Sequence, residues 1–525
     1  MIRSRRTGGR LAVERGPIVY CAEGCDNGGK AFDAVLPADA AFADDTITIG
    51  GKTYPALKTS NGLKLIPYCL WGTREPGNEM QVWLRESTPS RRWYKGALHC
   101  HTYWSDGRAF PEQAAQAYRD RGYSFFCMSD HNRFAAKGDN WRDVCEEEGK
   151  WPKNVHRPIF EAYRGRFPDA EVRERDGRTQ VRIRTFDEIK ARFDDPGRFL
   201  VLPGMEVTRT TDDGGWADWL HVHMNYVGLC KGLPSAEAGG LIQNYGKTVS
   251  EIIGKTEAEV GAMAGELGNP PHLFIVNHPN WRFFDVSAQD ILDHPEVCYF
   301  EVCNGCGAES PLKQGMSEAD FSCDRIWDAV LANRCRSGGR LLYGIGADDA
   351  HWYPDSGTPE PLYPFADAYI QVRAETLTAE ALVTAMDRGD FYASCGADLE
   401  DVRFDAASGT LSVSVPAKDG VSYRIRFIGT KKGFDGAVKG VHEWGGDEKA
   451  CLGPRRLAFC SREIGVTLKV VDGGRGERLE ASYALAPDDL YVRAIVESTE
   501  QATDFGLKAF VHPCVKMAWT QPYRR

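Results

Sequence analysis

The chain of 525 residues has no apolar run approaching the roughly 20 residues that a membrane-spanning helix needs. Its opening stretch, MIRSRRTGGRLAVERG, is basic but carries no apolar core, so no secretory signal is expected there. An excess of basic residues is missing too. The 64 Lys and Arg against 74 Asp and Glu leave a net charge of −10, which argues against broad binding to DNA, RNA or acidic membranes. The 16 cysteines lack the short regular spacings of a disulfide scaffold and are read as mostly reduced thiols. That predicts a cytoplasmic location, or a periplasmic or secreted one if a signal peptide was removed. There are no convincing internal repeats or low-complexity segments. The composition is that of a globular protein long enough for about two to four domains. The expected partner is a small molecule, with no nucleic acid and no membrane.

What is present concentrates between Lys95 and Asn132. A short apolar run ends in His99-Cys100-His101, and residues two apart on a strand point the same way, so two imidazoles can grip one ion. Ser105-Asp106-Gly107 adds a carboxylate from a turn. Pro111 suits the first position of a helix that Gly122 ends. A second apolar run, Tyr123 to Met128, leads to Asp130 and His131. Strand, ligands, helix, strand, ligand reads as a βαβ unit.

The same pattern recurs. Phe199 to Leu202 leads to Glu206, Leu273 to Val276 to Asn277 and His278, Tyr299-Phe300 to Glu301 and Asn304, and Leu341 to Ile345 to Asp348, Asp349 and His351. Apolar runs alternating with helical stretches predict a parallel β/α architecture, whose sites form at the C-terminal strand ends. An isolated histidine is usually a core or surface residue, but repeated coincidence at strand ends outweighs that reading. Two long insertions, between His131 and Glu206 and from Gly228 to Pro271, suit lids or specificity elements. Helices are expected at Thr185 to Phe193 and Val249 to Leu267.

Residues 1–90 read as β, with strand-like runs at Leu11 to Ala22, Thr46 to Ile49 and Glu79 to Arg85 between Gly- and Asn-rich turns. Met80, Val82 and Leu84 alternate with polar residues. Residues 401–525 return to alternation, at Leu411, Val413 and Val415, and at Tyr423, Ile425 and Phe427, and are expected to form a β-sandwich.

The HxH, SDG and DH motifs at His99, Ser105 and Asp130 resemble the opening of the PHP family (polymerase and histidinol phosphatase domains). Within it the chain looks most like the carbaryl-hydrolase-like metallohydrolases, over roughly residues 95–400. The phrases VERGPIVYCAEGCDNGG and IPYCLWGTREPGNEMQVWL resemble the C-terminal β-domain of bacterial β-L-arabinofuranosidases, which suggests carbohydrate surroundings. That family's metal-binding cysteines and catalytic acid have no counterpart here, so its activity is not carried over. The resemblances imply an α/β fold: a PHP-type distorted β/α barrel at 91–400 between β-domains at 1–90 and 401–525. They assign His99, His101, Asp106, His131, Glu206, His223, His278, Asp349 and His351 to ligand positions for two or three divalent ions, Mn, Zn or Fe. His223 is preferred to His221 because His223-Met224-Asn225 matches an HxN phrase, and Asp349 to Asp348 because the motif is DxH. His221, Arg133 and Asp348 remain candidate catalytic groups, and Glu301 a candidate for orienting ligands.

Imidazoles with carboxylates suit Zn, Mn or Fe, and clustered ions of that kind activate water without a protein nucleophile. The implied activity is metal-dependent hydrolysis, foremost of a sugar phosphate or phosphodiester by a metal-activated hydroxide. Hydrolysis of a carboxyl or carbamoyl ester or amide is the alternative, and non-catalytic carbohydrate binding a second one. Cys303 and Cys306 form a CxxC, but one pair alone makes no structural zinc site. Tyr103, Trp104, Trp281 and Trp352 neighbour the ligand motifs, with packing weighed ahead of sugar stacking.

Overall fold

The computed structural model describes residues 91–525 apart from 137, 148–153, 212–220, 241–242, 280–285, 306–322, 358–364, 366–367, 437–440, 444–455, 459–460 and 502–514. Of residues 1–90 it describes the backbone of six strands. The chain divides into two compact units, Met1–Arg91 and Arg92–Arg525.

The described part of the first unit is β, as its turn-punctuated runs predict. Its six-stranded antiparallel sheet runs Ile18–Ala22, Val82–Glu86, Gly62–Leu65, Lys52–Thr59, Thr46–Ile49, Ala41–Ala43. The first strand pairs with the last, Ile18 opposite Glu86. The inward and outward assignment of Met80, Val82 and Leu84 lies outside the described residues.

The second unit is mixed α/β and rich in sheet. Its largest sheet has 14 strands. Seven carry or border the candidate site, in the order Tyr343–Ala347, Tyr299–Asn304, Leu273–Val276, His221–Val227, Leu200–Thr211, Phe125–Met128, Arg92–Ala97. The parallel architecture expected from the alternation is interrupted. His221–Val227 runs antiparallel to both of its neighbours. Among the described residues no ladder closes these strands, so the pairing gives a mixed α/β, sheet-rich unit and leaves the distorted β/α barrel expected from the sequence unconfirmed. Among the described residues the two outer strands of the seven are hydrogen-bonded to each other beyond their ends. There an isolated bridge joins Cys100 to Ala350, with His101 N–H donating to Ala350 O at 2.8 Å and Asp349 N–H to His99 O at 3.0 Å.

Local chemistry explains the first helix. Pro111 occupies its first turn, Gln113 Oε1 accepts from Phe110 N–H at 3.0 Å, and the chain leaves the helix at Gly122 with φ of 74°. The expected helices in the insertions are Phe186–Phe193, capped by Thr185, and Val249–Glu266, capped by Thr248. The first insertion also forms a four-stranded sheet that includes Trp141–Cys145 and Arg178–Arg182. It is anchored beside the HxH loop. Arg142 Nη2 donates to Tyr103 O at 3.0 Å, Trp104 Nε1 to Arg184 O at 2.8 Å, and Arg184 pairs with buried Glu112 at 2.7 Å.

Beyond Arg92–Ala97 the same sheet continues through Tyr369–Ala374, Phe391–Cys395, Val515–Thr520, Asp489–Gln501, Tyr423–Lys431 and Val466–Asp472. A separate sheet of Asp401–Asp405, Thr410–Val415 and Leu479–Ala484 lies over it. Alternating Leu411, Val413 and Val415 share one buried core with Ile425, Phe427, Val492 and Val496. The change of patterning near residue 400 thus falls inside one compact unit, because strands on either side of it are hydrogen-bonded to each other. Among the described residues, nine cysteines are free thiols and no helix is long and apolar enough to cross a membrane.

Candidate metal centre

The HxH strand end delivers two imidazoles to one point. His99 Nε2 and His101 Nε2 lie 3.1 Å apart, and both rings are fully buried. Asp349 Oδ1 lies 3.3 Å from the first and 3.0 Å from the second. Glu206 lies 3.2 Å from His99 Nε2 through Oε1 and 3.3 Å from His101 Nε2 through Oε2. Edges of this length are those of donor atoms that share an ion at about 2.1 Å.

The other imidazoles gather around Glu206 and Asp106. His131 Nδ1 is 2.6 Å from Glu206 Oε2, and His131 Nε2 is 3.6 Å from Asp106 Oδ1. His223 Nδ1 is 3.1 Å and His278 Nε2 3.6 Å from Glu206 Oε1. His351 Nε2 is 3.4 Å from Asp106 Oδ1. All nine residues expected as ligands therefore stand in one cluster. Three groups have donor atoms within 4.8 Å of one another: His101, Asp106, His131, His351; His99, His101, Glu206; and His131, Glu206, His223.

The donors fit divalent cations. Asp106 Oδ1 and Glu206 Oε2 are buried, have no well-aligned hydrogen-bond donor among the described residues, and face ring nitrogens instead, His131 and His351 at the first and His101 and His131 at the second. Burial alone would push the Asp106 carboxyl up, but His131 and His351 hold it well below the usual carboxylate range. Burial is likewise outweighed at Glu206, where His131, His99 and His223 hold the carboxyl well down. The imidazoles split. Burial lowers His101 to about 3, helped by His351 and His131, and lowers His223 to about 4. At His131 burial is outweighed by Glu206 and Asp106, and its pKa rises to about 9.

Two departures from the expected strand-end rule follow from pairing. Glu206 sits inside Leu200–Thr211, where Glu206 N–H also bonds back to Ser129 O at 3.0 Å. His223 lies near the start of its strand because that strand is antiparallel, which brings its beginning to the site end. Across this pair Asn225 faces Glu206, His223 faces Thr208 and His221 faces Thr210.

The supporting residues were less legible. Asp130, flanking His131, is not in any donor group. Its carboxylate accepts from Thr102 N–H (2.7 Å), Thr102 Oγ1 (2.9 Å), Ser105 N–H (3.0 Å) and Ser105 Oγ (2.7 Å), and so shapes the turn between His101 and Asp106. Thr208 Oγ1 is 2.6 Å from His131 Nδ1, and Asn277 Nδ2 donates to Glu206 Oε1 at 2.9 Å. Thr208 follows Glu206 by two on the same strand face, a signal the alternation contained. Asn277 precedes His278, but nothing local marks it as a partner of Glu206.

The three candidate catalytic groups are placed differently. His221 is buried on the strand face of His223, with ring centroids 6.0 Å apart. Arg133 Nη1 donates to Asn132 O at 3.1 Å and Glu237 O at 2.9 Å, which fixes the guanidinium beside the His131 loop. Asp348 is not brought to the donor groups. It accepts from Tyr118 Oη at 3.0 Å, because consecutive residues in the turn project to opposite sides and Asp349 takes the inner one. Tyr103 and Trp104 are buried in the core, which favours packing over sugar stacking, whereas Trp352 is half-buried beside His351. Trp281 and Cys306 lie outside the described residues.

Residues 3–85 match the family of the glycoside hydrolase family 127 C-terminal domain. In the same vein, the chain is 35% identical over 111 residues to a non-reducing end β-L-arabinofuranosidase of Bifidobacterium longum. The match takes in 16% of this chain and 17% of that enzyme, so the likeness concerns one segment of each. Two solved structures are similar, more loosely, to larger shares of the chain. A two-domain protein of Bacteroides vulgatus containing a predicted PHP-like metal-dependent phosphoesterase has a TM-score of 0.33 at 14% identity, over 83% of this chain and 96% of that one. A proposed metal-dependent phosphoesterase of Bifidobacterium adolescentis has a TM-score of 0.29 at 13% identity, over 52% and 91%. Scores this low carry no functional weight, and the donor set must speak for itself.

Proposed function

We propose that the chain is a metal-dependent hydrolase, foremost a phosphoesterase acting on a sugar phosphate or phosphodiester. The supporting observation is that the buried Glu206 carboxylate, which can bridge through its two oxygens, is shared between two donor groups while a third group gathers around Asp106, an arrangement suited to two or three neighbouring ions rather than one structural ion. His99, His101, Asp106, His131, Glu206, His223, His278, Asp349 and His351 would hold them. Mn, Zn or Fe bound there would supply Lewis acidity toward an ester oxygen and toward water.

The chain's own residues bind and orient. Arg133, held by two carbonyls beside His131, is assigned to an anionic group of the substrate. His221, one step further out than His223 on the same strand face, is assigned to proton transfer with the leaving group. The buried walls around His99 and His101 limit water on the inner side of the cluster. A carbohydrate-derived substrate is favoured by the likeness of residues 3–85 to a domain of a glycosidase family.

The test is a panel of aryl phosphate mono- and diesters, then aryl carboxyl and carbamoyl esters, with metal-loaded and chelated protein. Phosphoester turnover that chelation abolishes and Mn, Zn or Fe restores is expected. Turnover of carbon esters alone would move the reading to carbon. Full activity in metal-free protein would overturn the metal reading, and sugar binding without turnover would favour a binding protein.

A further inference from the structure

We infer that Glu301 is a positioning residue that holds three of the metal-binding residues, the His99 ring directly, His278 by its backbone and Asp349 by way of Asn304, and sets metal affinity without itself reaching an ion. The inference rests on the metal-centre reading above. Glu301 is buried, and Oε1 lies 2.7 Å from His99 Nδ1. Its Oε2 accepts from the His278 backbone N–H at 2.8 Å and from Asn304 Nδ2 at 2.9 Å. The same Asn304 amide reaches Asp349 Oδ2 at 3.2 Å. One carboxylate thus ties together the ends of three other strands, through His99, His278 and, by way of Asn304, Asp349.

The backbone is built for this. In a regular strand, residues 301 and 304 would face opposite sides, since the side-chain period is two. The ladder to Tyr343–Ala347 skips a residue: Glu301 pairs with Ile345 but Cys303 with Gly346. Such a bulge re-aims side chains. Here it brings Glu301 and Asn304 into contact on the site side. Glu301 meets His99 on Nδ1, the ring nitrogen turned away from His101 and Asp349, and its other oxygen is taken up by the His278 N–H and Asn304, so it stands behind the donors.

The chemistry follows from what a carboxylate can do. Ionised, it only accepts, so the His99 proton belongs on Nδ1. The lone pair of Nε2 is then left facing His101, Glu206 and Asp349. A glutamine cannot reproduce this arrangement. Turned with its oxygen to His99, it sets an NH₂ against the His278 and Asn304 donors. Turned the other way, it sets the NH₂ against His99 Nδ1 and favours the wrong tautomer.

The experiment is titration of the full, metal-free chain with Zn²⁺ and separately with Mn²⁺, for the parent, Glu301→Gln, Glu301→Ala and Asn304→Ala. Affinity is expected to fall about 10- to 100-fold in both Glu301 variants and less in Asn304→Ala, as for other partners of metal-ligating histidines. Nitrogen-15 spectra of histidine-labelled zinc protein should show His99 protonated on Nδ1 in the parent and changed in Glu301→Gln. The melting temperature of the metal-free forms separates positioning from packing. Equal affinity and an unchanged His99 signal in Glu301→Gln would overturn this role while leaving the metal centre standing. Failure of the parent to bind either ion would overturn the metal reading itself, and this role with it. Should Glu301→Ala not fold, Glu301→Gln and Asn304→Ala still decide.

Discussion

His221 and His223 differ by two positions and share a strand face, yet the structure treats them differently. His223 Nδ1 meets Glu206 Oε1 at 3.1 Å and belongs to a donor group with His131 and Glu206, whereas His221 belongs to none. His223→Ala should therefore lower metal content, and His221→Ala should keep the metal and lower kcat by about 10²- to 10⁴-fold, the usual worth of a proton-transfer group. Elemental analysis with steady-state kinetics checks both, and metal lost only from the His221 variant would reverse the assignment. The imidazoles also make the metal-free protein pH-sensitive. His131, raised to about 9 because carboxylates outweigh burial, contributes stability that is fully present below 6.5 and is lost as pH rises through about 9. His223 and His101, lowered mainly by burial to about 4 and about 3, stay neutral in the fold while the unfolded chain protonates near 6.5. They subtract stability as pH falls below that value. Chelated protein should melt at its highest temperature near pH 6.5 and lower on both sides. A melting temperature that climbs steadily from about pH 5 to about pH 9 would contradict this balance of shifts.

At the scale of the element, the turn from His101 to Gly107 is the tightest piece of the site. Asp130 fastens it through four hydrogen bonds, and Gly107 N–H closes it on Thr102 O at 3.1 Å. A Cβ on Gly107 would stand 2.3 Å from His101 C and O and 2.4 Å from Thr102 N. Those atoms are backbone and cannot swing aside. Gly107→Ala is therefore expected to cost on the order of 1–3 kcal/mol and to weaken metal binding by moving Asp106 away from His131 and His351. Urea unfolding and metal titration measure the two effects. Unchanged values in both would show that the turn yields more easily than its contacts imply. The Ser-Asp-Gly spacing made this turn visible in the sequence, since a glycine beside a ligand signals close backbone approach. The Asp130 clamp was not visible, because an acid next to a histidine reads equally well as a ligand.

For the whole second unit, continuity of the sheet couples the C-terminal strands to the site-bearing ones. Arg493, on Asp489–Gln501, is buried against Asp328 of the Cys323–Ser337 helix at 2.9 and 2.7 Å and against Asp324 at 2.9 Å. Tyr491 Oη joins the same carboxylate at 2.8 Å. Removing one partner of a buried pair leaves the other charge stranded, at about 3–5 kcal/mol. Asp328→Ala should lower the urea midpoint accordingly, and metal release should coincide with loss of the C-terminal strands. Arg493→Met combined with Asp328→Leu should recover most of the loss. Separate transitions for metal release and strand melting would show two folding units where the sheet indicates one.

The candidate donors and their local settings were legible in the order of the residues alone. The two-residue spacing of His99 and His101, the Pro111 start, the Gly122 stop and the ligand-tipped apolar runs are all set by strand pleat, helix capping and side-chain chemistry within a few residues. The described strands of residues 1–90 and the inward alternation of Leu411, Val413 and Val415 were legible in the same way. The rest depends on which distant segments pair. Strand direction depends on which partner a segment pairs with, so the antiparallel His221–Val227, and with it the place of His223, could not be read locally. The same holds for Asp348, turned to Tyr118 while its neighbour faces the cluster, and for the bulge that aims Glu301 at His99. Each depends on hydrogen bonds between residues far apart in the chain, whose geometry exists only once the sheet has formed.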